Sequence, residues 1–163
     1  MTTANQTTST NGSESCNTMT VGGNLRQRAT DATERVKPFL SRMQFSTMVE
    51  LCQGEEGDHF LKMFIDLAQC IDTMPKTYEQ DGLGEKAVAH LHYFMGASDW
   101  FILEKDMEGG IAQAFGYAIL NGDLQCAEVG YISIEEITRC GAELDLYFNA
   151  LTLAAIKKQR RSN

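Results

Sequence analysis

The stretch AVAHLHYFMGASDWFILEK, residues 87–105, changes the period of the chain from helical to two. Val88, His90, His92 and Phe94 alternate with Ala89, Leu91, Tyr93 and Met95, the spacing of a strand with one buried face. Residues 96–99, GASD, read as a turn into WFILEK, so the two halves are expected to pair as an antiparallel hairpin. Downstream, AQAFGYAIL supplies a third strand, with Phe115, Tyr117 and Ile119 large on one side and Ala114, Gly116 and Ala118 small on the other. The small side would let a helix pack closely. Asn121, Gly122 and Asp123 signal a turn, and AEVGYI reads as a fourth strand. Ser133 followed by Glu136 matches a capping box that starts a short helix over 134–140, which Gly141 is placed to stop. AELDLYF then alternates as a fifth strand, with Leu144, Leu146 and Phe148 inward and Glu143, Asp145 and Tyr147 outward.

Working outward, Pro38 suits the first turn of a helix whose stripe is Phe45, Met48, Val49 and Cys52, stopped by Gly54. A second helix is expected with Asp58 as its cap, Phe60, Phe64, Leu67 and Ile71 as its stripe, and Pro75 beyond its end. Asn149 is placed to cap a last helix carrying Leu151, Leu153, Ala154 and Ile156, which runs into the basic sequence KKQRR. The expected fold is α+β: a mostly antiparallel sheet of four to five strands, two N-terminal helices, a short helix at 134–140 and a C-terminal helix. The first twenty residues hold ten Ser or Thr and three Asn, too little apolar surface to offset chain entropy. Residues 1–36 are therefore expected to be a disordered tail, leaving 37–163 as a single domain.

The net charge of −8 is unevenly spread. Residues 44–156 hold five basic and nineteen acidic side chains, whereas the tail from Lys157 onward holds four basic and no acidic ones. An acidic body of this kind lacks the basic footprint of direct nucleic-acid binding and attracts a basic partner. Five scattered cysteines without a CxxC pair argue against a disulfide framework or a zinc ribbon. No apolar run reaches membrane-spanning length and the N-terminus lacks a secretory pattern, so a cytoplasmic protein is expected.

The order of DWFILEKD, AFGYAIL, AEVGYISIEEI and ELDLYF resembles the bacterial family known as domain of unknown function 2958, over residues 74–148. These blocks are similar to the family's W-x-x-x-E-x-D, F-F-G-x-V, E-L-G-Y-F-S-L-x-E-L and I-E-R-D-L-Y-F strands. Leu144 departs from the pattern where the family usually has arginine, and residues 95–97 replace a more polar turn. The resemblance implies a small α+β domain of phages, plasmids and other mobile elements, often encoded near antirestriction and DNA-maintenance genes. It carries over no catalytic residue, and a fold does not fix a function.

His90 and His92, two apart on a strand, are weak candidates for metal ligands, since imidazole suits zinc, copper or nickel. Asp99, Glu104, Asp106, Glu128, Glu143 and Asp145 lie in or beside strands, and carboxylates that converge could do acid–base work or hold a divalent cation. Alternation places Glu128 with Cys126, Gly130 and Ile132, where partial burial would demand a donor. Trp100, Tyr117, Tyr131 and Tyr147 are candidate interface anchors, with Tyr147 the one expected to be exposed beside Glu143 and Asp145. Neither a nucleophile elbow nor a phosphate loop is present. The reading that follows is a non-enzymatic accessory protein of a mobile element, without cofactor, that binds a basic or DNA-binding protein such as a restriction or defence enzyme. The competing class is an enzyme working through its acidic strand residues, alone or with a metal. Direct DNA contact through the basic termini ranks last.

Overall fold

The computed structural model describes residues 21–162, with side chains from Leu25 onward, and the expected disorder of residues 1–20 lies outside the described residues. Residues 21–36 overturn the expectation of a tail, because they form helix α1 (Val21–Val36). Ala29, Ala32 and Val36 recur at helical spacing and are fully buried along α3 (Gly57–Thr73). Two alanines make a weak hydrophobic signal, yet their small size lets the helix axes approach. Among the described residues three α-helices, not two, therefore precede the sheet. Pro38 sits in a 3-10 turn (Lys37–Phe39), and α2 (Arg42–Leu51) starts one step later, with the Ser41 hydroxyl accepting from the Gln44 N–H at 3.3 Å. Asp58 does not cap α3; the cap position is Glu56, without a side-chain bond, and Asp58 lies in the first turn.

The strands are β1 (Val88–Ala89), β2 (Leu91–Met95), β3 (Ser98–Glu104), β4 (Ala114–Ile119), β5 (Glu128–Ile132), β6 (Glu143–Leu144) and β7 (Leu151–Thr152). The fold is α+β, as expected: a five-stranded antiparallel sheet in the order β5-β4-β3-β2-β6, and a two-stranded sheet joining β1 to β7. The expected hairpin turns at Gly96, whose φ of 58° belongs to the left-handed region that glycine adopts without penalty. The short helix α4 (Ile134–Arg139) is capped by the Ser133 hydroxyl on the Glu136 N–H and ends at Gly141. There Ala142 N–H donates to Ile137 C=O and Gly141 N–H to Thr138 C=O, the paired bonds of a Schellman cap.

Two apolar layers lie on either side of the large sheet. Leu91, Tyr93, Trp100, Ile102, Ala114, Ile132 and Leu144 join the buried faces of α1, α2 and α3 in the main core. Ala87, Ala89, Phe101, Leu103, Tyr117 and Ile119 form a second layer with Leu153 and Ile156 of α5 (Leu153–Arg161). Ala89 and Leu91 thus lie in different layers, contrary to their expected common face, because the alternation breaks at His90 between β1 and β2. The expected fifth strand is also shorter: after Leu144 the chain turns, and Phe148 joins the outer layer. Thr152, not Asn149, caps α5 by accepting from the Ala155 N–H at 3.3 Å. The β6 edge is covered by Gln44 of α2, whose amide donates to Leu144 C=O at 2.6 Å and accepts from Leu144 N–H at 2.9 Å. No helix among the described residues is long and apolar enough to cross a membrane.

Candidate functional site

The six carboxylates do not converge. Glu128 and Glu143 stand exposed on opposite edge strands, four strand spacings apart, roughly 19 Å. The expected partial burial of Glu128 is not realised, because β5 is an edge whose end lies open to solvent. Asp106 closes its own loop, accepting from Glu108 N–H at 2.8 Å and Gln113 N–H at 3.1 Å.

Asp99 and Asp145 meet at His92. The imidazole lies 2.8 Å through Nε2 from Asp99 and 3.2 Å through Nδ1 from Asp145, and stacks on Phe101 at 4.4 Å between centroids. Arg160 of α5 donates to Asp99 at 2.6 Å and places its guanidinium 5.4 Å over the same Phe101 ring. His92 is 8% exposed. Its network is closed by aromatic and guanidinium faces, and it fastens β2, β3, the turn after β6 and α5 to one another. Asp145 therefore turns inward from the expected outward face, where Glu143 and Tyr147, the latter 70% exposed, keep their expected positions.

His90 and His92 do not act together. His90 is half-buried in a groove of about 370 Å3 beside Cys70 and Tyr147, and burial pushes its ionisation below the ordinary value. Among the described residues no group of three or more His, Cys, Asp or Glu side chains is arranged to hold a metal ion. Burial also raises the Cys52 and Cys70 thiols, and a hydrogen bond with Asp123 raises the exposed Cys126, so none of these three is an activated nucleophile.

Glu104 occupies a different setting. Ile102 pairs with Gly116 but Glu104 pairs with Phe115, so Leu103 is an extra residue in a β-bulge. Simple alternation would put Glu104 on the helix side with Trp100 and Ile102. The bulge turns it to the outer side with Phe115, and turns Lys105 the other way, where its ammonium donates to the C-terminal carbonyls of α3, Ile71 at 2.6 Å and Asp72 at 2.9 Å. Glu104 is 4% exposed and accepts from the backbone N–H groups of Tyr78 (2.9 Å) and Gln80. Gln80 in turn donates to Val88 C=O and Leu103 C=O and accepts from Val88 N–H, at 2.7–2.9 Å. The loop from Thr77 to Ala87 is thereby pinned over the outer face of the sheet.

Beneath it lies a cleft of about 580 Å3. Leu103, Phe115, Val129 and Leu153 line its apolar part; Asp81, Glu85, Glu104 and Lys157 supply its charges. Lys157 pairs with Glu85 at 3.2 Å, tying α5 to the loop. At the mouth Tyr78 and Tyr131 are 61% and 53% exposed, and their hydroxyls meet at 2.9 Å. Tyr131 also stands edge-on to Phe115, with centroids 5.5 Å apart. The Tyr78 hydrogen bond raises the Tyr131 phenol above its ordinary value, and the charge of Glu104 acts in the same direction. Trp100 and Tyr117, by contrast, are core residues. Sequence reasoning missed Tyr78 altogether, since nothing in TYEQDGLG places a turn tyrosine opposite a strand tyrosine 53 positions later. Compared with protein-family models, with curated proteins and with solved structures, the chain matches none.

Proposed function

We propose that the chain is a non-enzymatic, cytoplasmic binding module that engages a basic protein partner, in the setting of a mobile element that its resemblance implies. The observation that carries this reading is the cleft beneath the pinned loop. It is held open by hydrogen bonds internal to the protein, so a ligand does not have to order it. It has exposed tyrosines at its mouth, and its charges are three carboxylates against one ammonium. Exposed aromatics above an apolar floor are typical anchors of a protein interface, and surrounding like charge selects the partner and speeds its approach. The wider surface agrees, since Glu79, Glu108, Glu128, Glu135, Glu136 and Glu143 are all exposed. A DNA-binding host enzyme carries the complementary surface.

The test is calorimetric titration with an arginine-rich peptide and with its charge-reversed counterpart, across a range of salt, alongside duplex DNA. Binding of the basic peptide that weakens as salt rises, with none of the acidic peptide or of DNA, is the expected result. Equal affinity for both peptides, or tight DNA binding, overturns the reading.

A further inference from the structure

The tyrosine corner of the cleft specifies the proposed partner more narrowly. Among the described residues no Lys or Arg pairs with Glu104. The adjacent cation in the chain, Lys105, is turned to the opposite side of the sheet by the bulge and spent on the end of α3. The cation that lines the cleft, Lys157, pairs with Glu85 and lies 5.5 Å over the ring of Tyr117. Among the described residues this buried carboxylate has two amide N–H groups as partners and no side-chain cation, the partner that a cation entering the cleft would supply. A carboxylate offers about four lone-pair directions, so two remain open to such a donor.

The walls suit the same ligand. Tyr78, Tyr131 and Phe115 bring three aromatic rings to one corner of the cleft that Glu104 lines. Tyr78 holds a φ of 78°, in the left-handed region that a bulky residue rarely adopts. Glu104 at its N–H and Tyr131 at its hydroxyl keep it there. A strained residue held in place from two sides, with its ring exposed, is a common feature of ligand sites.

Resting on the proposed binding reading, we infer that the corner formed by Tyr78, Tyr131 and Phe115 above Glu104 receives one arginine side chain of the basic partner. A guanidinium is planar and weakly hydrated, so it can lie against an aromatic face while its N–H groups reach the carboxylate and the phenol oxygens. A lysine ammonium offers no planar face and gives up a stronger hydration shell.

The probes are three short, otherwise identical capped peptides with arginine, lysine or citrulline at the centre, titrated into the full chain and followed by NMR of the tyrosine rings and by calorimetry. The arginine peptide is expected to shift the Tyr78 and Tyr131 ring signals and to bind about tenfold more tightly than the lysine peptide, with citrulline weaker still. Tyr131→Ala, an exposed edge-strand change, should lower the arginine affinity by about tenfold or more. Glu104→Gln should abolish the preference for arginine over citrulline. If Glu104→Gln unfolds the loop, Tyr131→Ala and the ring shifts still decide the matter. Ring shifts absent from both tyrosines, equal affinity for arginine and lysine, or an unchanged affinity in Tyr131→Ala overturns this inference. If the arginine-rich peptide of the previous test still binds wild type and Tyr131→Ala equally, the corner is wrong and the broader reading stands; if it binds neither, both fall.

Discussion

The hydroxyls of Tyr78 and Tyr131 meet at 2.9 Å, joining a loop before the sheet to its open edge strand. The contact frames one side of the mouth of the cleft. Holding a bulky residue at positive φ costs on the order of 1–3 kcal/mol, so the Glu104 and Tyr131 contacts must together outweigh that cost for Tyr78 to stay where it is.

The pair makes Tyr131 titrate late. Its phenol is held protonated by the Tyr78 hydrogen bond and by nearby negative charge, so its ionisation lies above the ordinary value of 10.0. The folded state favours the proton. The pair's contribution is therefore complete below pH 10.0 and is lost as pH rises through the raised value. Ultraviolet titration of the folded protein should show two tyrosines ionising above the ordinary value, Tyr131 and the fully buried Tyr93, and Tyr78→Phe should move only the Tyr131 transition down. A midpoint unmoved by Tyr78→Phe would contradict the assignment.

Glu104→Ala removes the acceptor for two backbone N–H groups under the loop. Each buried donor left without a partner costs about 1–3 kcal/mol, and a loss of about 2 kcal/mol or more is expected in chemical denaturation. Proteolysis should find new cutting sites between residues 77 and 87. A variant as stable and as resistant as wild type would mean that the loop is held by something else.

Gly116→Ala tests the packing of β3 on β4. A Cβ at this position would lie 2.3 Å from the Phe101 carbonyl oxygen and 3.0 Å from Ile132 Cδ1. Backbone on one side and a core side chain on the other leave no easy relief, so a destabilisation of about 1–3 kcal/mol is expected from thermal melting. Gly130→Ala on the neighbouring edge strand meets nothing within 4 Å and is the matched control.

His90 should make the protein acid-sensitive. Burial lowers its ionisation below 6.5, so the unfolded chain binds a proton that the folded chain resists. Its share of stability is complete above pH 6.5 and is lost as pH falls through the depressed value. Urea denaturation at several pH values should show a smaller acid loss in His90→Gln than in wild type. Equal acid slopes for the two proteins would remove His90 as the cause.

Much of the architecture was legible because it rests on local chemistry. The hairpin at Gly96, the serine cap of α4 and its glycine stop, and the strands 98–104, 114–119 and 128–132 follow from turn residues and alternation. The helix over 21–36 was hidden by its composition. Ala29 and Ala32 carry little hydrophobic signal, and what stabilises them is contact with α3, far along the chain. The same holds for the end of the fifth strand, where Asp145 is drawn inward by an imidazole that a periodicity argument does not register.

The chain's own pattern of apolar, small and turn-forming residues determined the class of fold, the hairpin at Gly96 and the capped helix α4, because each depends on neighbours within a few residues. Which carboxylates are free, and which are committed, was decided by packing. One extra residue at Leu103 rotates Glu104 into the cleft and Lys105 out of it, and a one-residue shift reverses every side chain beyond it. That shift arises from pairing with β4 across a loop, so alternation along β3 pointed to the wrong face for both side chains.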